Sequence, residues 1–175
     1  MFSDPRHNIE QLGISDNAIV ADFGAGSGFY SMEAALAVAP LGKVYAVDVQ
    51  KDLLDRLKKQ ATEHHIRNIE IIAGDLEKLG GSKLRDGSCD VVIASNVLFM
   101  VGDKKSFFLE ACRVLKPKGR ILVIDWSGSF SQMGPHHTHV FAKDDAMKLA
   151  RETGFVFERE ISTGSQHYGI IFRKS

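Results

Sequence analysis

Asp22, Gly24, Gly26 and Gly28 fall together in "IVADFGAGSGFY", residues 19–30, and their types and spacing suit the holding of a ligand. Glycine at every second position lets the chain turn tightly and lets a ligand approach main-chain N–H groups that a Cβ would block. A dinucleotide-binding turn spaces its glycines G-x-G-x-x-G, so that a pyrophosphate rests on the helix N-terminus. Here the order is D-x-G-x-G-x-G. The acid two residues before the first glycine would repel a pyrophosphate but suits a cationic amine, directly or through water. Glycine spacing alone leaves both ligand types open; the acid weighs against the dinucleotide.

Three more positions carry matching chemistry. Asp48 ends "VYAVDV", 20 residues beyond Gly28, where a carboxylate can accept from both hydroxyls of a ribose. The plainer reading is a cap for the helix starting near Lys51. In "IIAGDLEKL" the Gly74–Asp75 pair forms a turn; Asp75 can also accept from an exocyclic adenine amine while Leu76 packs on the ring. Ser95 and Asn96 close "CDVVIAS" and its extension, where a transferable group would lie, whereas Asp90 opens that run and reads as structural. General-base candidates are His136, His137 and His139 in the stretch "WSGSFSQMGPHHTHVF", with His167 and Tyr168 at the start of the final strand. Exposed loop histidines are the bland alternative. No cysteine or acid stands beside "HHTH", so no metal site is expected.

These residues need a scaffold that gathers strand ends. Five short apolar runs, "AIVADF", "KVYAVDV", "IEIIAG", "DVVIAS" and "RILVID", read as buried parallel strands. Helix candidates lie between them at residues 29–39, 51–65 and 103–115, the last with Asp103 as N-cap and Pro117 beyond its end. Asp4 and Pro5 mark an earlier helix start, and "KDDAMKLARETG" a later helix ending at Gly154. "FVFEREIS" and "HYGIIFRK", joined by "TGSQ", predict an antiparallel hairpin, because that link is too short for a crossover. The sum is a three-layer α/β sandwich: a seven-stranded, mostly parallel sheet with a C-terminal antiparallel hairpin. Ligands of such sheets bind at the carboxyl ends of the strands.

The bulk properties set limits. One domain over residues 1–175 is expected for a 175-residue chain with 44 % hydrophobic and 25 % charged residues. Twenty-two basic residues balance 22 acidic ones, so no net field favours nucleic acid or an anionic membrane. The basic run Lys51, Arg56, Lys58, Lys59 reads as a solvated helix face. The N-terminal "MFSDPRHNIEQ" has no apolar signal-peptide region, and no apolar run is long enough to span a membrane. With only Cys89 and Cys112, a reduced cytoplasmic protein is expected.

Taken together, "VADFGAGSG", "VDV", "AGDLE", "DVVIASNVLFMV" and "RVLKPKGRILVIDW" resemble the class I S-adenosylmethionine-dependent methyltransferases, with their Rossmann-like sheet. The similarity is greatest to the small-molecule branch typified by ubiquinone/menaquinone-biosynthesis methyltransferases and is strong over residues 19–126. The resemblance implies that Gly24, Gly26 and Gly28 bracket the methionine part of S-adenosylmethionine, with Asp22 near its amino group. It implies Asp48 on the ribose, Val49 against adenine, Asp75 with Leu76 at the adenine edge, and Asn96 with its neighbours beside the sulfonium. S-adenosylhomocysteine would be the product and a small organic molecule, such as a quinone precursor, the acceptor. Two departures stand out: "KPKG" replaces the usual "KPGG", and residues 1–18 are a short lead-in where relatives often carry a segment that closes over the substrate. A second subunit covering the pocket, as a homodimer, is a further expectation. No N/D-P-P-aromatic run follows the fourth strand and no basic stripe is interleaved with aromatics, so nucleic acid is not an expected acceptor. Two separated cysteines do not suit arsenic methylation. The rival readings are a non-catalytic nucleoside-binding module and an NAD(P)-dependent oxidoreductase.

Overall fold

A computed structural model describes residues 3–130 and 134–175. In chain order the elements are α1 (Pro5–Leu12), β1 (Ile19–Phe23), α2 (Phe29–Ala37), β2 (Lys43–Asp48), α3 (Lys51–Glu63), β3 (Ile69–Ala73) and β4 (Cys89–Ser95). They continue with α4 (Lys104–Val114), β5 (Leu115–Trp126), a 3-10 turn at His137–His139, α5 (Lys143–Glu152), β6 (Phe155–Ile161) and β7 (His167–Lys174). The strands form one sheet in the order β3-β2-β1-β4-β5-β7-β6. β1 to β5 are parallel, and β7 enters antiparallel between β5 and β6. The expected seven-stranded sandwich and late hairpin are both present.

Strand residues alternate between two cores. Val20, Val44, Val91, Ile93, Leu122 and Ile124 pack with Ile9 and Leu12 of α1 and with Ala34 of α2. Ala21, Phe23, Val92, Ala94 and Val123 face the opposite way, onto Phe107 and Phe108 of α4 and onto Ala146 and Ala150 of α5. That two-residue period, buried on both faces, is why the strands read as continuous apolar runs. α3 joins the first layer by packing Leu57 against Ala46 and Ala25. Its Lys51, Arg56, Lys58 and Lys59 are exposed, as a solvated face requires.

Local signals set the boundaries. The Asp4 carboxylate accepts from the N–H groups of Arg6 (3.0 Å) and His7 (3.4 Å), and Pro5 takes the first helical position, where its missing N–H costs nothing. Asp103 caps α4 by accepting from the Ser106 N–H at 3.0 Å. The Asp90 carboxylate accepts from the Ile19 N–H and from the Lys116 ammonium, so it ties β1, β4 and β5 at the edge away from the strand carboxyl ends. One boundary differs from expectation. β5 begins at Leu115, upstream of "RILVID", because α4 passes straight into an extended Leu115 paired with Cys89. The ladder then shifts register and resumes at Val91 and Arg120, and Lys118 takes a φ of +63° within the intervening "KPKG".

Candidate active site

The chain runs β1, β2, β3 outward on one side of β1 and returns to place β4 on the other. A gap therefore opens at the carboxyl ends of β1 and β4, where the strand order reverses. A cavity of about 670 Å³ occupies that place, within the size range of cofactor sites.

Its floor is the turn from β1 into α2. The N–H groups of Gly24 and Ala25 donate to the Val47 carbonyl (2.9 and 3.1 Å), pinning the turn to the end of β2. Gly24 has a φ of +79°, and a Cβ there would meet Val97 Cγ2 at 2.4 Å, so glycine is required for both conformation and packing. Gly26 borders the cavity and donates its N–H to Asp48 Oδ2 at 2.9 Å. Gly28, at a φ of +86°, caps α2 instead: a Cβ would strike Leu57 Cδ1 at 2.1 Å, and the residue is absent from the cavity wall. The third glycine of the motif thus seats α2 close to α3, and the cavity-facing part of the turn is Gly24 to Ser27.

Two strand-ending carboxylates face the cavity. Asp22 is buried, and the Ser31 hydroxyl donates to its Oδ2 at 2.6 Å. Burial pushes its pKa up to about 6; the Ser31 hydrogen bond opposes that rise and nearby Asp48 adds to it. Asp48 is held by two backbone donors, Gly26 N–H at Oδ2 and Gln50 N–H at Oδ1 (2.8 Å). Each oxygen keeps a further lone pair for a hydroxyl donor. The Gln50 contact also fulfils the plainer capping role at the start of α3, so the two readings of Asp48 coincide in one side chain.

At and just beyond the carboxyl end of the neighbouring β4, Ser95 and Asn96 line the cavity; their Oγ and Oδ1 atoms are buried and have no partner among the described residues. Asn96 sits at a φ of +53°, a region asparagine tolerates, with its N–H on the Ile124 carbonyl at 2.8 Å. The following loop is anchored by Asp125: its Oδ2 accepts from the N–H groups of Leu98 (2.9 Å) and Phe99 (3.3 Å), its Oδ1 from that of Trp126 (2.8 Å). Burial still raises its pKa to about 6. Asp125 ends β5 as Asp22 and Asp48 end β1 and β2, a shared pattern by which the sequence reveals it, although its role is to hold the loop.

At the far end Val49, Leu53 and Leu76 form an apolar wall, with Asp75 on the rim. Lys78 pairs with Asp75 at 2.9 Å and holds its carboxyl below the usual range. Gly74 is not on the wall; a Cβ there would meet the Gly81 carbonyl oxygen at 2.3 Å. At the mouth, the segment before β1 contributes more than its brevity suggested. Ser3 and Pro5 line the cavity beside Tyr30, and buried Asn8 donates to both Ser3 Oγ and Tyr30 Oη at 2.7 Å.

The five general-base candidates are elsewhere. His136, His137 and His139 are exposed on the 3-10 turn and its cap; Ser131 to Met133 of the same stretch lie outside the described residues. His167 is buried against the Trp126 ring, with centroids 4.3 Å apart and neither ring nitrogen partnered among the described residues, and burial lowers its pKa. Tyr168 donates to the Phe141 carbonyl at 2.9 Å, and burial raises its pKa. None of the five lines the cavity: His167 and Tyr168 open β7, which lies beyond β5 from the ends of β1, β2 and β4, and the three other histidines sit on the turn between β5 and α5. No cluster of three metal-ligating side chains occurs among the described residues.

A family model described as "Methyltransferase domain" matches residues 14–168, nearly the whole sheet and the cavity with it. The chain belongs to this family. The methyltransferase fold is matched by the crystal structure of a SAM-dependent methyltransferase from Aquifex aeolicus, with a TM-score of 0.90 at 24 % identity over 99 % of this chain and 91 % of that one. A ubiquinone/menaquinone biosynthesis C-methyltransferase from Hahella chejuensis is 32 % identical over 123 residues, 70 % of this chain and 48 % of that protein. An arsenite methyltransferase from Halobacterium salinarum is 31 % identical over 106 residues, 61 % of this chain and 26 % of that protein. The chain thus spans half or less of the length of these two curated relatives. S-adenosylmethionine carries a cationic amine, a ribose and a flat base, and the cavity offers a buried carboxylate, a second carboxylate with free lone pairs and an apolar wall.

Proposed function

We propose that this methyltransferase moves the methyl group of S-adenosylmethionine to a small organic acceptor in the cavity bounded by Asp22, Asp48, Ser95 and Asn96. The observation that carries the reading is the gathering of Asp22, Asp48, Ser95 and Asn96 from the ends of β1, β2 and β4 onto one cavity of about 670 Å³. In this reading Asp22 binds the amino group, Asp48 both ribose hydroxyls, and Val49, Leu53 and Leu76 the adenine, with Asp75 at its edge. Bound there, S-adenosylmethionine supplies an electrophilic methyl on a sulfonium. The protein's share is alignment and exclusion of water, which can provide effective molarities of about 10⁵–10⁸ M. Val97, Val101 and Phe107 form a buried apolar wall beside Ser95 and Asn96, and Tyr30, held by Asn8, borders the cavity.

Calorimetric titration with S-adenosylhomocysteine, and separately with NADH, tests the donor site. Micromolar binding of the first alone is expected. Hydrogen bonds to a charged group contribute roughly 1.5–3 kcal/mol, so Asp48→Ala should weaken that binding about 10- to 150-fold. Unchanged affinity removes Asp48 from the site. Binding of S-adenosylhomocysteine, with no methyl transfer from S-adenosylmethionine to any acceptor in a broad metabolite screen, would instead favour the non-catalytic module.

A further inference from the structure

Residues 74–82, between β3 and β4, put Asp75, Leu76 and Glu77 on the cavity wall, and α4 fastens the segment at two places. Glu77 Oε2 accepts from the N–H of Asp103, the α4 N-cap, at 2.6 Å. Further along, Glu110 of α4 accepts from the N–H groups of Gly80 (2.7 Å) and Ser82 (3.0 Å) and from the Ser82 hydroxyl. Arg113 donates to the same carboxylate through Nε (2.9 Å) and Nη2 (2.7 Å), so each oxygen accepts at least two bonds. Glu110 is fully buried and does not line the cavity. Burial alone would raise its carboxyl, but the donors from Arg113, Ser82 and Gly80 outweigh it and bring the pKa down to about 2, so the group stays charged. Between its two backbone partners lies Gly81, pressed onto the start of the segment. A Cβ at Gly81 would meet the Asp75 carbonyl oxygen at 1.8 Å, and one at Gly74 would meet the Gly81 carbonyl oxygen at 2.3 Å.

Resting on the donor site proposed above, we infer that Glu110 is a positioning residue for its adenine edge. By gripping Gly80 and Ser82 it holds Gly81 against Gly74 and Asp75, and so sets Asp75 where its carboxylate favours adenine over a base that lacks the exocyclic amine. Glu110 touches neither ligand nor reacting atoms and acts only through the backbone it holds. The Asp75 side chain is half-exposed, and its own bonds run to Lys78 and to the Glu77 N–H at 3.1 Å. Both partners belong to the same short segment, so these contacts shape it without fixing where it sits, and an exposed ion pair adds little. The place of the segment is set from α4. A buried carboxylate is a poor source of net stability, since apolar packing often does as well. What it supplies is direction, because its oxygens accept donors only within a narrow range of distance and angle.

The probe is S-inosylhomocysteine, which carries an oxygen where S-adenosylhomocysteine carries the exocyclic amine. The native protein should bind the adenosine compound about tenfold more tightly, the lower end of what a hydrogen bond to a charged acceptor contributes. Glu110→Gln keeps the size of the side chain but cannot accept at both ends. It should bring that ratio close to one, by weakening S-adenosylhomocysteine and leaving the inosine compound little changed. A purely structural role would lower the folded fraction, weaken both ligands by the same factor and leave the ratio intact; that result overturns the inference. Amide hydrogen exchange on the native protein gives a reading that does not need the variant to fold. The Gly80 and Ser82 N–H groups should be protected before any ligand binds, because Glu110 already holds them. Exchange at the rate of an unstructured amide until S-adenosylhomocysteine is added would mean that the ligand itself orders the segment, and would overturn the inference too. Equal affinity of the native protein for the two compounds would do the same while leaving the donor site standing. Failure of S-adenosylhomocysteine to bind at all is a different result, one that withdraws the donor site.

Discussion

Asp22 carries two opposed demands. Its carboxyl is buried, so its pKa rises to about 6, and the cofactor-free fold is most stable when the group is protonated. For a carboxyl raised in the folded state, that stability is present below the unfolded pKa and is lost as pH climbs through about 6. The loss at neutral pH is on the order of 3 kcal/mol. Asp22→Asn should therefore raise the melting temperature of the free protein at pH 7.5 by several degrees, read by calorimetry. The same variant should bind S-adenosylhomocysteine at least tenfold more weakly, because the amino group loses its anion. In the native protein, binding should weaken by up to about tenfold for each pH unit below 6, with one proton released. A pH-independent affinity between about 5 and 7 would show that Asp22 does not meet the amino group. Asp22 and Asp48 stood out in the sequence because each closes an apolar strand. Ser31 and Tyr30 did not, since a Ser or Tyr in the first turn of a helix has no distinguishing pattern until the turn before it is built.

Among elements, the β1–α2 turn and the loop after β4 decide the cavity together, because Gly24 packs on Val97. Gly28→Ala has a different target: it combines a left-handed backbone with a clash against Leu57 and should cost about 2–4 kcal/mol. Its denaturant midpoint should fall while the affinity of the protein that remains folded changes little. If affinity drops far more than stability, Gly28 acts on the ligand after all. Asp125→Ala removes the acceptor for three backbone donors and should cost about 2–4 kcal/mol while loosening the loop that carries Val97 to Val101. Helix ends were legible because caps are local: Asp4, Pro5 and Asp103 act on neighbours within a turn. The start of β5 was not, since Leu115 is extended only through its pairing with Cys89, a partner distant in sequence.

At the scale of the whole molecule, a ligand in the cavity would touch the ends of β1, β2 and β4 and the segment before α1 at once. Saturating S-adenosylhomocysteine at about 100 times its Kd should add about 2.7 kcal/mol and raise the melting temperature by roughly 5–10 °C. Asp48→Ala, tested at that same concentration, should lose most of the shift. No described helix is long and apolar enough to cross a membrane. The succession of strands and helices along the chain, the late hairpin and the positions of the acids at strand ends were determined by the sequence itself, because hydrophobic period, turn chemistry and linker length act over short stretches. Only the tertiary structure decided which of the candidates share one cavity. It brought Asn96 and Ser95 to the same cavity as Asp22, and it left His136, His137, His139, His167 and Tyr168 off the wall. It also brought Ser3 and Pro5 to the mouth. Those outcomes depend on sheet order and on contacts between residues far apart in the chain, which no local pattern encodes.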